Sequence, residues 1–330
     1  MTPSRFRRAL RRATPVTAAL AGAAVALPVV AQDFPQRPLR VMVGFSAGSV
    51  VDVSARVISE RLSEALKQPI VIDNRPSAGG IIAGEMVARA TPDGHTLLSV
   101  SASHAIGPAV TAKLPYNVVK DFAGITTTVN VASVLVTSAA TGPKTVKELI
   151  ALARAKPGSL NFSSGGIASS THFVAELFNS MAGIQATHVP FKGIPEALTA
   201  VASGTVNYTI TPMPNALPQV SGGKVQALGV TVEKRVPQMS DVPTIAEAGL
   251  AGFRYDTWFC LLAPAATPRP IVDRLNREVV GVLNQPAVRE RFRGLGADPI
   301  PMPAADFDRF VAQQVDRFMK LAKQANITPE

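Results

Sequence analysis

The chain has 330 residues, 47% hydrophobic and only 5% aromatic, with a formal net charge of +10. This composition excludes a disordered chain and a coiled coil, and the one cysteine, Cys260, excludes an internal disulfide. It leaves one or two domains with a large core of Ala, Val and Leu.

The chain opens with Arg5, Arg7, Arg8, Arg11 and Arg12, followed by the apolar run PVTAALAGAAVALPVVA (15–31). Residues 1–31 therefore read as a signal peptide, with Val29 and Ala31 at the small-residue positions before a cut after Ala31. A transmembrane anchor competes with this reading, but the run is short and contains Pro28. The pair Arg11-Arg12 raises the twin-arginine export route beside the general one. Without the leader the formal charge falls to about +5, with no basic block, so nucleic acid is not expected as a partner. A soluble exported protein is expected, with no lipid anchor because no cysteine lies near the cut.

Strand and helix patterns then alternate. LRVMVG (39–44) reads as a strand and 50–66 as a helix, with Val50, Val53, Val57, Leu62 and Leu66 on one face and Asp52, Arg56, Glu60, Ser63 and Lys67 on the other. Strands follow at 70–73 and 96–100, with a helical stretch at 80–90 between them. The middle repeats the theme: strands at 132–137, 160–164, 187–191, 206–210 and 225–230, and helices at 145–155, 172–183 and 195–204. The last part reads as three helices, 268–284, 287–296 and 305–324. Alternation of this kind predicts an α/β fold with mostly parallel sheets in two units and a ligand cleft between them.

Ligands of such sheets sit where strand turns to helix, and helix N-termini there suit an anion. Two loops have that makeup: Phe45–Ser46–Ala47–Gly48–Ser49, and SSGGIASST (163–171) with Ser163, Ser164, Gly166, Ile167, Ala168 and Ser169. Ser49 with Asp52 forms a capping-box-like pair. Simple helix capping is the competing reading for either loop alone. GFSAG (44–48) also fits the G-x-S-x-G elbow of serine hydrolases, with Ser46 as nucleophile. That fold needs strands and an oxyanion loop upstream, and Ser46 lies only about fifteen residues past the cut. The histidines His95, His104, His172 and His188 all precede any late triad position and lack metal-ligand spacing, so neither a catalytic group nor a metal or cofactor is expected. Cys260, in the apolar run WFCLLAP, reads as a buried structural residue.

FPQRPLRVMVGFSAGSVVDVSAR (34–56), IDNRPSAGGIIAG (72–84), TPDGHTLL (91–98), VPFKGIPEAL (189–198), VPTIAEAG (242–249) and WFCLLAPAATP (258–268) together carry a resemblance. The chain resembles the substrate-binding proteins of tripartite tricarboxylate transporters, the Bug family of bacterial periplasmic receptors, over nearly all of residues 34–324. The resemblance implies a type II periplasmic-binding fold of two domains, 32–131 with 257–330 and 132–256. It implies a monomer without catalysis that holds a small carboxylate (a di- or tricarboxylate, an amino acid or an aromatic acid) and delivers it to a membrane permease or a sensor protein. It places the two loops at the ligand, together with Asp52. Ser101 and Ser103 join them as further contacts, and Met213 and Asp256 as lining, with core packing as their alternative. This sequence departs from the family pattern at Gly44, Ser49, Ser77 and Ala168, where the family has proline, glycine, glycine and glycine. A Cβ added at a glycine position fills space and restricts positive φ, so these changes are expected to reshape the pocket toward a ligand unlike citrate.

Overall fold

The computed structural model describes residues 34–327 and 329, so the signal-peptide reading lies outside the described residues. In chain order the elements are β1 (Leu39–Val43), α1 (Val50–Leu66), β2 (Ile70–Asn74), a 3₁₀ turn (Ala78–Gly80), α2 (Ile81–Ala88), β3 (Thr96–Ser101), α3 (Ser103–Val110) and β4 (Phe122–Ser138). Then come α4 (Val146–Ala155), β5 (Leu160–Ser164), α5 (Ser170–Ala182), β6 (Ala186–Pro190), α6 (Ile194–Ala202), β7 (Tyr208–Pro212), α7 (Met213–Ser221) and β8 (Val225–Val230). The chain closes with β9 (Asp256–Pro264), α8 (Arg269–Leu283), α9 (Pro286–Gly294), β10 (Ala297–Pro299) and α10 (Ala304–Gln324).

The strands pair in the order β2-β1-β3-β9-β4-β7-β5-β6, with β8 and β10 also on β4. Strand β4 belongs to two sheets. Its first part pairs with β9 as far as Ala132, opposite Asp256, and from Ser133 onward it pairs with β7. Pairing is parallel in the outer strands, β2-β1-β3 in the first sheet and β7-β5-β6 in the second. It is antiparallel around β4 and β9. The parallel pairing has a functional consequence. It brings the carboxyl ends of β1 and β3, and those of β5 and β7, to one edge of each sheet.

Several pieces of regular structure escape the sequence pattern, β9 among them. The first half of β4, FAGITTTVNV, does not alternate, because both of its faces are covered and its threonines are buried. Their hydroxyls donate to the chain leading into α10: Thr126 to the Met302 carbonyl at 2.9 Å, and Thr127 to the Ile300 carbonyl. Helices α3 and α7 contain Pro108, Pro214 and Pro218, residues that read as breakers. Pro214 lies in the first turn of α7, where no N–H is required. Strand β10, only three residues long, exists because β4 offers it an edge.

Helix α10 shows how the core is shared. Phe318 packs on Phe173 of α5 and on Tyr255, and Phe310 packs on Trp258 of β9. Cys260 is fully buried in β9, where burial pushes its thiol well above the usual range and keeps it inert. Among the described residues no helix is long and apolar enough to cross a membrane.

Candidate functional site

Helix α1 begins because Ser49 can cap it. Ser49 is extended (φ −68°, ψ 159°), and its hydroxyl accepts from the Asp52 N–H at 3.4 Å. Gly48, just before it, is left-handed at φ +80°. Helix α5 begins the same way. Ser169 has φ −73° and ψ 158°, its hydroxyl accepts from the His172 N–H at 3.2 Å, and Ala168 before it is left-handed at φ +58°. Both loops close with the same turn, Ser49 N–H to the Ser46 carbonyl and Ser169 N–H to the Gly166 carbonyl, each at 3.2 Å. The two strand-to-helix corners are therefore copies of one backbone shape, one on each sheet.

They face a common cavity. It is lined from the first sheet by Phe45, Ser49, Val50, Val51, Ser101 and Phe259. The second sheet contributes Gly165, Ser169, Ser170, Thr171, Ile194 and Pro212. Its volume is about 20 Å³, room for about one water molecule, so the two sets of loops nearly meet. The first-turn residues Val50 and Val51 of α1 and Ser170 and Thr171 of α5 line it, and first-turn N–H groups are ones that a helix leaves without an internal partner. Each helix adds about half a positive charge there. The chemistry on offer is capture of an anion by backbone donors and hydroxyls.

The loops are braced from behind. The Asp52 carboxylate accepts from the Gly48 N–H and the Asn74 side chain, both at 3.0 Å, and is ion-paired with Arg56 at 3.0 Å. Burial alone raises its pKa, but the Arg56, Gly48 and Asn74 donors outweigh that and hold it below the usual carboxylate range. In the second loop, Ser164 accepts from the Gly166 N–H at 3.1 Å, and Thr171 accepts from the Gly165 N–H at 2.9 Å. Behind Ser164 stands His188, whose Nε2 lies 2.6 Å from the Ser164 hydroxyl and whose ring stacks on His172 at 3.9 Å. Burial first, and the neighbouring His172 second, push His188 down to about 3, so the ring is neutral at ordinary pH.

Of the residues singled out in the sequence, Phe45, Ser49, Ser101 and Ser169 line the cavity. Gly166 and Ile167 line a groove of about 580 Å³ that shares Gly165 with the cavity, together with Pro76, Ala78, Phe191 and Lys192. Ser46 bridges the two sheets by donating to the Lys192 carbonyl at 3.3 Å, while Ala47 stands exposed. Gly48 lines a small pocket against Pro214 and Asn215. Ala168 is buried against the turn at Gly79. Asp52, Ser164 and Ser103 shape the loops from outside the cavity, Ser103 by accepting from Ser101 and donating to the Gly79 carbonyl at 2.9 Å.

Three expectations are corrected by position. The Ser163 hydroxyl turns away and donates to the Ala197 carbonyl of α6 at 3.0 Å. Met213 and Asp256 line a separate cavity of about 490 Å³ beside the β4–β9 crossover, where Asp256 pairs with Arg254 at 3.1 Å. Asp52 belongs to the buried side of α1, not to a solvated face, at 3% exposure.

The departures from the family pattern at Ser49, Ala168 and Gly44 also resolve. Ser49 has an ordinary negative φ, so its Cβ adds no backbone strain. Ala168 takes a positive φ despite its Cβ, at a cost of about 1 kcal/mol. At Gly44 a Cβ would lie 2.8 Å from the Gly80 backbone, which favours glycine there. Of the lining residues missed in the sequence, half are Val50, Val51, Ser170 and Thr171. They follow directly from the two caps, since N1 and N2 carry the free N–H groups.

The chain is similar to known proteins over most of its length. The described chain matches solved two-domain periplasmic binding proteins. MatC from Rhodopseudomonas palustris with bound malate superimposes with TM-score 0.83 at 35% identity, covering 88% of this chain and 100% of that one. An R. palustris protein solved with adipate gives TM-score 0.87 at 35% identity, covering 90% and 100%. The family profile described as tripartite tricarboxylate transporter family receptor matches residues 54–327, and the chain belongs to that family. Curated relatives include a protein from the tcbD-tcbE intergenic region of Pseudomonas sp. (strain P51), 37% identical over 87% of this chain and 86% of its own length. Another is BugT of Bordetella pertussis, 33% identical over 92% and 94%.

Proposed function

We propose that this chain is a periplasmic solute receptor that captures a small carboxylate between two domains and delivers it to a membrane permease. The observation that carries this reading is the pair of matching helix N-termini, one from each sheet, at one cavity. Relatives solved with adipate and with malate support a carboxylate as the ligand. The domains are 32–131 with 257–330 and 132–256, a division supported by the switch of β4 from β9 to β7 between Ala132 and Ser133. The protein is exported with cleavage after Ala31, acts as a monomer and performs no catalysis. A sensor protein as recipient changes the docking partner and not the ligand site.

Closure brings the Gly79 turn against the second loop. A Cβ at Gly79 would lie 2.9 Å from the Ala168 carbonyl oxygen, and the residue is already left-handed at φ +60°. Ligand capture by hinge closure therefore depends on this glycine. The test is a thermal-shift screen of carboxylic and amino acids on the purified protein, where binding raises the melting temperature by mass action. At least one acid is expected to stabilise the wild type and to lose most of that effect in Gly79→Ala. No stabilisation by any acid would overturn the reading. Hydrolysis of p-nitrophenyl esters that vanishes in Ser46→Ala would replace it with an esterase.

A further inference from the structure

The crossover of β4 lies under a second, larger cavity of about 490 Å³, which shares no residue with the one at the corners. Asn130 and Ala132 of β4 line it. Asn130 stands opposite Asp298 of β10, and Ala132 opposite Asp256 of β9. Opposite residues on antiparallel strands share a face, as do residues two apart, so both carboxylates rise on the same side of the sheet. Arg293 of α9 extends this wall, and the facing wall is the segment after β8, with Val232, Lys234, Val236 and Pro237. The two walls also touch. The Gln238 amide donates to the Arg293 carbonyl at 2.9 Å, and a Cβ at Gly296 would strike the Met213 side chain.

Three cations (Lys234, Arg254, Arg293) and three carboxylates (Glu233, Asp256, Asp298) line the cavity, so its formal charge is zero. Arg254 is already satisfied, since it pairs with Asp256 at 3.1 Å and with Glu233. Lys234 and Asp298 have no ion-pair partner among the described residues. The Arg293 guanidinium reaches only Glu290 of its own helix, at 3.7 Å. Opposite charges thus stand unpaired on facing walls: Lys234 on the side of the second sheet and Asp298 on the side of the first. A plain anion would answer Lys234 and Arg293 but leave Asp298 unpaired. A plain cation would do the reverse. A small zwitterion answers both walls. Between them, Met213, Val232, Val236 and Pro237 offer apolar surface, which favours an apolar body.

We infer that this cavity is a second ligand site, for an α-amino acid with an apolar side chain. The ammonium group pairs with Asp298, and the carboxylate with Lys234 and Arg293. The side chain lies against Met213, Val232 and Val236. The charged groups are exposed, so each pair contributes at most about fivefold in affinity, and binding is expected on the order of 1 mM. The site touches neither strand-to-helix corner and stands independently of the carboxylate reading.

Titration calorimetry with leucine, methionine and phenylalanine at millimolar concentrations tests this on the purified protein. At least one of the three is expected to bind. Lys234→Glu or Asp298→Lys alone turns an attraction into a repulsion and is expected to weaken that binding at least about fivefold. The double variant restores one charge of each sign with the poles exchanged, and is expected to return to within about twofold of the wild type. 3-Methylbutylamine, which is leucine without its carboxylate, is expected to bind at least about fivefold more weakly than leucine. Binding of none of the three amino acids overturns the inference. So does binding that both single reversals leave unchanged, which would put the amino acid elsewhere, and so does a folded double variant as weak as the singles. Equal binding of the amine would make the site one for simple cations and overturn it as well.

Discussion

The loop between β1 and α1 is held by a carboxylate, and the loop between β5 and α5 by hydroxyls. In the first, one buried Asp52 gathers the Gly48 N–H, Asn74 and Arg56. In the second, Ser164 and Thr171 each hold one backbone N–H, and no charged group takes part. The backbones nevertheless agree within a few degrees at the caps, ψ 159° at Ser49 and 158° at Ser169. The helix start sets the shape: once an extended cap follows a left-handed residue, the first-turn N–H groups face the same way. Different side chains serve to brace it, and they leave the two loops sensitive to different insults.

The largest expected effect lies in the first loop. Asp52→Ala strands the Gly48 N–H, leaves the Asn74 amide only the Phe45 carbonyl as acceptor and takes the carboxylate from Arg56, and should cost about 3 kcal/mol in chemical denaturation. A loss below about 1 kcal/mol would mean that the carboxylate is not the brace.

The pH dependence separates the loops next. Asp52 has a depressed pKa, so its contribution is present above the ordinary value of 3.8 and is lost as pH falls through its lower folded value. His188 is neutral in the fold, at about 3, and protonates in the unfolded chain at 6.5. The unfolded state therefore binds the proton first, and stability falls as pH drops from 6.5 toward 3, while above 6.5 this group has no effect. His104, pushed to about 4 by burial against its bond to the Val118 carbonyl, adds a similar limb. Melting temperatures of wild type and His188→Asn should thus diverge in slope below pH 6.5, and identical slopes would remove His188 from the account.

Breaking one hydroxyl in the second loop should cost less than breaking the carboxylate. Thr171→Val leaves the Gly165 N–H without its acceptor and should destabilise by about 1–2 kcal/mol. A loss equal to that of Asp52→Ala would erase the distinction between charged and neutral bracing. The smallest effect has the opposite sign. Ala168→Gly relieves a left-handed alanine and should stabilise by up to about 1 kcal/mol, with the gain partly offset by entropy in the unfolded chain.

The alternation of apolar and polar segments and the two Gly/Ser corners are local properties, and periodicity and capping rules reach them. Helix α1 illustrates this: its bounds, its cap and the burial of Val50, Val57, Leu62 and Leu66 follow from VVDVSARVISERLSEAL, while Val51, Ser54, Ala55, Ile58 and Ser59 are buried as well. The burial of Asp52 does not, because it depends on Asn74, which comes from β2, a strand placed beside β1 only by sheet pairing. The site divides in the same way. Ser49 and Ser169 were legible because a cap is written within four residues. Phe259, Ile194 and Pro212 were not, because they arrive from β9, α6 and β7 through pairings far apart in the chain.

Composition, leader pattern and the two strand-to-helix corners are thus decided by the sequence itself, since each is a matter of neighbours along the chain. That the corners meet over one cavity, with no cation in its wall, was decided only by the tertiary structure. The hand-over of β4 from one sheet to the other sets which side chains face each other, and no local rule carries that information.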